Sequence, residues 1–440
     1  MNRKILDLAL PNIVSNISVP LLGLVDMALM GRMESDAYIG AIAIGSLIFN
    51  FIYWGLGFLR MGTSGFTAQS WGGRDLYETI LVVSRALFIG LTASFFLILL
   101  QRPVEWLSFS LISGESDVEN LARAYFRIRI WAAPAVLVQF ALLGFFLGMQ
   151  NARLPMVVLV STNIINIGCN YYLVMIRGMG SEGVALGTVI AQYFGMVLAV
   201  FFFTRYFSRL FAYWSAKAML QASRLRKFLK VNSDIFIRTM CLVIVFTFFT
   251  ARSAAVDTLD EGEQTILAVN SLLMQFFMIF SFFIDGFAHA SEAITGKFIG
   301  AGNSWGLKRS IKLLFAWGAG ISLFFTILYL SGGETIFRIL TTNSEVIHNS
   351  RPYYFWVVLI PIVSFTAFLW DGIFIGATAG KAMRNAMLIS TLLVFFPAYI
   401  ILSRLMGNHG LWLAFILFML SRTITMSFLA PGAIYARVDQ

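Results

Sequence analysis

Charge is scarce in this chain. Only 12% of its 440 residues are Asp, Glu, Lys or Arg, about half the usual share, too few to cover a water-soluble protein of this length. Cysteine is scarcer. Cys169 and Cys241 lie in separate apolar segments, which argues against a disulfide or a thiolate metal site and for plain apolar packing. The three histidines, His289, His348 and His409, are far apart and lack zinc-ligand spacing. A Walker A sequence is missing, so ATP is not expected to drive the protein directly. With no nucleophile–base or metal constellation, the chain is expected to be neither an enzyme nor the holder of a cofactor.

Apolar residues take the place of charge. They make up 59% of the chain, and the mean hydropathy is +0.80. Apolar stretches of roughly 20 residues, each able to cross about 30 Å of hydrocarbon, recur from end to end. The pattern predicts an all-α polytopic membrane protein with twelve spans near 5–30, 37–65, 77–100, 120–149, 154–176, 183–206, 231–256, 265–298, 308–331, 347–377, 384–404 and 410–430. The N-terminal run after Arg3 and Lys4 is interrupted by Asp7, Pro11 and Asn12 and reads as a retained first helix rather than a signal peptide.

The net charge of +10 does not point to a nucleic acid, because the basic residues sit in short connections between apolar segments. Arg205 to Lys230 holds seven of them and no acid; Lys308, Arg309 and Lys312 mark a second basic stretch, and Lys381 and Arg384 a third. The alternate connections carry Glu105, Glu115, Asp117 and Glu119, or Asp257, Asp260, Glu261 and Glu263. This bias places both termini and the 205–230 connection in the cytoplasm, and the protein in the inner (cytoplasmic) membrane. Aromatic residues Phe207, Phe211, Tyr213 and Trp214 precede the basic cluster, so the connection reads as a linker on the membrane surface, with anionic lipid or a partner as the alternative.

The chain repeats itself. Thr67 to Asp75 closes the second helix, and Thr295 to Asn303 closes the eighth, 228 residues on. Gly144, Gly148 and Arg153 recur as Gly372, Gly376 and Lys381; Met179-Gly180 and Pro134 recur as Met406-Gly407 and Pro361 at a shift of 227. Four matches in one order imply two six-helix lobes of like orientation, related by a pseudo-two-fold along the membrane normal. The expected domains are 1–206, a basic linker over 207–230, and 231–440. Two bundles that rock about a central site suit a secondary transporter.

Four stretches carry a family resemblance: Leu8 to Pro11, Val19 to Asp26, Asp285 to Glu292 and Asp371 to Thr378. They resemble the multidrug and toxic compound extrusion (MATE) family, and within it the DinF branch. The resemblance implies a V-shaped pair of lobes and export of small amphipathic compounds against inward H⁺ or Na⁺.

Asp26 is the sharpest candidate for coupling. A carboxylate at mid-membrane costs roughly 2.5–3.5 kcal/mol on insertion scales, so it needs a partner, a cavity or a proton. The resemblance places the N-lobe cation-binding aspartate here. Asn163, Asn166 and Asn170 share a face at i, i+3 and i+7, and Asn166, Asn170 and Thr188 match family positions that help hold the cation. Relatives often carry aspartate where this chain has Asn170. The missing charge disfavours a bare hard cation and favours H⁺; the alternative is that the asparagines simply join helices. Pro11 is either a hinge or a static kink.

A rival polar site lies in the C-terminal half. Asp285, His289 and Glu292 share a stripe at i, i+4 and i+7, within reach of Asp371 and Arg238; the alternative is a neutralised structural network, for instance Asp234 with Arg238 at i, i+4. Abundant Met and aromatic residues identify no pocket, because lipid-facing helices hold the same residues. The expected function is a cation-coupled, H⁺-driven antiporter, monomeric because both lobes share one chain. A lipid-linked precursor flippase of the same superfamily is the alternative, and would want more basic residues in the spans than Arg60, Arg85 and Arg238.

Overall fold

The computed structural model describes residues 1–31, 36–111, 116–257 and 265–438, without the side chains at 24, 26–30, 36, 256, 257, 265 and 334. The predicted connection residues Glu115, Asp260, Glu261 and Glu263 lie outside the described residues. Among the described residues twelve helices are long and apolar enough to cross a membrane. The first six spans are Asn2–Gly23, Ala37–Gly72, Leu76–Leu99, Ser116–Gly148, Arg153–Ile176 and Ser181–Tyr213. The last six are Ala222–Ala255, Ile266–Gly300, Ser304–Gly333, Ser344–Gly376, Gly380–Met406 and Asn408–Arg437. In lipid every backbone amide must be satisfied within its own segment, and helices do this.

The chain divides into two compact units, Leu10–Asn232 and Met1–Ala9 with Ser233–Gln440. The first nine residues of the opening helix therefore pack with the C-terminal spans. Pro11 and Pro20 both lie inside the continuous helix Asn2–Met30.

The repeat seen in the sequence is also a repeat of backbone detail. Asp75 caps the third span by accepting the Glu78 amide at 2.8 Å, and Asn303 caps the ninth by accepting the Gly306 amide at 2.7 Å. The residues just before them, Arg74 and Gly302, are both left-handed, with φ of 57° and 62°. Gln150 and Thr378, also 228 apart, are left-handed at 63° and 50° where the fourth and tenth spans end. Glycine suits such φ values; Arg, Gln and Thr adopt them because flanking helices dictate the turn.

Each unit is built on one intimate helix pair. In the N-terminal unit a Cβ on Gly144 would lie 2.3 Å from the Arg60 carbonyl oxygen, and one on Gly148 2.7 Å from that of Ser64. In the C-terminal unit a Cβ on Gly372 would lie 2.0 Å from the Ala288 oxygen, and one on Gly376 2.3 Å from that of Glu292. Without a hydrophobic drive between helices in lipid, such small residues let backbones approach and gain dispersion contact.

The basic connection is folded. A 3₁₀ turn over Ser208–Tyr213 and a short helix Ala216–Met219 follow the sixth span. Arg85, buried in the third span, donates to the Ala218 and Met219 carbonyls, each at 3.1 Å, and pairs with Glu78 at 2.7 Å. Tyr206, Phe211, Tyr213 and Trp214 remain exposed.

Candidate functional site

The N-terminal unit holds a run of amides. Asn170 donates to the Asn166 side-chain oxygen at 2.9 Å, Asn166 donates to the Thr188 hydroxyl at 3.1 Å, and Thr188 donates to the Val184 carbonyl at 2.9 Å. All three polar side chains are buried. Asn163, on the same face, donates to Ser18 of the first span at 3.0 Å. Helical spacing on the fifth span brings the stripe together. Gly187 makes room for it, because a Cβ there would lie 2.2 Å from the Asn170 side-chain oxygen. Asn170 ends a regular helix just before the wide π turn Tyr171–Ile176. The side chain of Asp26 lies outside the described residues; its backbone is helical.

The C-terminal unit holds a buried charge cluster. One oxygen of Asp371, in the tenth span, accepts from Arg238 of the seventh and from Arg422 of the twelfth, the latter at 2.6 Å. Asp285 acts electrostatically on Arg422. His289 Nδ1 stands 3.7 Å from a Glu292 oxygen, an i, i+3 approach on the eighth span. Of the predicted residues, Asp371 thus meets Arg238 and His289 approaches Glu292, with one correction. Asp234 pairs with Arg384 at 2.6 Å rather than with Arg238. The helix after Ala379 carries Arg384 to Asp234, leaving Arg238 for the buried Asp371, which offers it a desolvated counter-charge.

Two features escaped the sequence. Arg422 was a readable signal, an arginine inside an apolar span, which in lipid needs a partner. The second is an amide knot. Asn270 and Asn408 exchange hydrogen bonds at 2.8 and 3.0 Å, Asn270 also donates to Ser253 at 2.7 Å, and Trp412 donates to Asn270 at 2.8 Å. It joins the seventh, eighth and twelfth spans, and no spacing along one helix could have shown it. Cys169 and Cys241 are free thiols. Among the described residues no group of His, Cys, Asp and Glu could hold a metal ion.

Twelve apolar spans in two units with a shared backbone pattern, each holding a buried polar cluster, fit a membrane transporter. The MatE family model matches residues 11–172 and 237–400, one copy in each half. The chain belongs to the MATE family. It is 33% identical over 432 residues to DNA damage-inducible protein F of Escherichia coli, covering 97% of this chain and 91% of that one. It is 24% identical to multidrug and toxin extrusion protein 1 of Danio rerio, over 94% of this chain and 69% of the relative. Among solved structures, an outward-facing multidrug resistance MATE transporter of the MOP superfamily superposes with a TM-score of 0.84 at 18% identity, covering 99% of this chain and 96% of that one. That likeness bears on the fold alone.

Proposed function

We propose that this protein is an H⁺-coupled antiporter that exports small amphipathic organic compounds, working as a monomer in the cytoplasmic membrane with both termini in the cytoplasm. Family membership supports multidrug efflux, and MATE transporters handle small organic substrates and a coupling cation. The observation that carries the choice of H⁺ is the run Asn170–Asn166–Thr188. It is a chain of neutral donors and acceptors with amides in place of carboxylates, a poor cage for a dehydrated Na⁺. Coupling is left to Asp26, whose carboxyl can carry one proton at a time. Asp371 is less suited to this task, because two guanidiniums share its oxygen.

The flippase reading loses support for the same kind of reason. Arg85 is bonded to Glu78 and two carbonyls, and Arg238 and Arg422 to Asp371. These arginines serve the fold instead of lining a diphosphate path.

Efflux of a fluorescent amphipathic cation from proteoliposomes, under an imposed pH or Na⁺ gradient, tests the proposal. Efflux driven by the pH gradient alone is expected. Efflux driven by Na⁺ alone would overturn H⁺ coupling, and scrambling of a lipid-linked sugar with no drug efflux would favour the flippase.

A further inference from the structure

Arg129 sits in the fourth span and, unlike Arg85, Arg123, Arg127, Arg238, Arg384 and Arg422, has no carboxylate in ion-pair range among the described residues. It donates to the Tyr125 hydroxyl one helical turn back and to the Ser46 hydroxyl of the second span at 3.4 Å. Ser46 and Tyr125 also contact each other, at 3.3 Å. The guanidinium lies over the Phe49 ring, 5.3 Å from its centroid. Arg129 is half-buried, and where a guanidinium in an apolar span meets no anion, hydroxyls and a ring compensate it only in part.

A third hydroxyl completes the group. Tyr53 lies on the same face of the second span as Ser46 and Phe49, at i+7 and i+4. Its phenol oxygen is buried without a hydrogen-bond partner among the described residues, and Arg129 and Tyr125 are among its electrostatic neighbours. Leaving a buried hydroxyl unmade is unfavourable, so an orphan hydroxyl in the electrostatic range of a guanidinium with no carboxylate among the described residues leaves room for an acceptor. The surroundings are shaped to hold the group. A Cβ on Gly45 would lie 2.3 Å from the Tyr125 ring, so the bare glycine is what lets that ring sit against the second span with its hydroxyl beside Ser46.

We propose that Ser46, Tyr53, Tyr125 and Arg129 form a binding site for an anionic headgroup: a carboxylate, sulfonate or phosphate attached to an apolar body. The guanidinium supplies the charge and a planar pair of donors, and the Tyr53 hydroxyl a further donor. The proposal rests on the reading of an amphiphile exporter and adds an anion to what the protein binds; it is tested by binding rather than transport, so each can fail without the other. The anion is either a free amphiphile or the headgroup of an anionic lipid.

The test is equilibrium binding of naphthalene-2-sulfonate to the full chain in nanodiscs made only of phosphatidylcholine, with tetraphenylphosphonium as the cationic control. Arg129→Met should weaken sulfonate binding by at least about tenfold and leave the phosphonium within about twofold. Tyr53→Phe removes a hydroxyl that bonds nothing among the described residues, and should weaken sulfonate binding by roughly threefold with unchanged thermal unfolding. Unaltered sulfonate binding in Tyr53→Phe and Arg129→Met would overturn the site, as would unaltered binding in Tyr53→Phe if Arg129→Met does not fold. Repeating the titration with phosphatidylglycerol in the nanodiscs separates the two sources. Loss of sulfonate binding there assigns the site to a lipid headgroup; retained binding assigns it to a free amphiphile.

Discussion

Gly372 rests its bare Cα against the Ala288 carbonyl, so closely that an added Cβ would lie 2.0 Å from that oxygen. No side-chain rotation relieves such a collision, because the obstacle is backbone. Gly372→Ala should therefore separate the eighth and tenth spans and lower stability by about 1–3 kcal/mol. Gly320→Ala, where nothing lies within 4 Å of the new methyl, should be neutral or gain up to about 1 kcal/mol of helix propensity. Thermal unfolding of both variants in nanodiscs distinguishes them; equal melting temperatures would mean that the close approach is dispensable.

Asp371 bears two arginines on one oxygen. Asp371→Asn should cost roughly 3–5 kcal/mol, as expected when a buried charge is stranded. Arg422→Met should cost less, because Arg238 still neutralises Asp371. Folded yield and melting temperature give the order. If Asp371→Asn folds normally and loses pH-driven efflux, the C-terminal cluster is a coupling site instead of a structural one.

For the N-terminal unit the expected effects are on coupling. Asp26→Asn should abolish efflux driven by a pH gradient at normal protein level and insertion. Asn170→Asp adds a carboxylate beside Asn166 and should make efflux respond to Na⁺, since hard cations favour charged oxygens. Efflux in proteoliposomes reads both. Undiminished pH-driven efflux in Asp26→Asn would remove that residue from the mechanism.

The knot of Asn270, Asn408, Ser253 and Trp412 is fully buried. Asn408→Ala removes two of the four hydrogen bonds of Asn270, leaving those to Ser253 and Trp412, and should lower stability by about 1–3 kcal/mol. A melting temperature equal to that of the parent would show that the knot adds nothing to the C-terminal unit.

By itself the sequence determined the membrane as solvent, the twelve spans and the duplication. Apolar content per segment is a local property, and a 228-residue shift can be read by comparing the chain with itself. Gly144 and Gly372 were visible as a matched pair, and so were Asp75 and Asn303 as the ends of matched segments. The amide stripe was legible as well, because helical periodicity alone puts Asn163, Asn166 and Asn170 on one face.

Only the tertiary structure decided which charges meet. Asp234 and Arg238 are neighbours on one helix, yet each pairs elsewhere, with Arg384 and Asp371, because in a low-dielectric interior the packing of other spans sets the nearest counter-charge. The same holds for Asn270 with Asn408, 138 residues apart, and for Arg129, which meets two hydroxyls and, among the described residues, no carboxylate. Spacing along one helix reports which residues share a face. What that face touches depends on where the other eleven spans are packed.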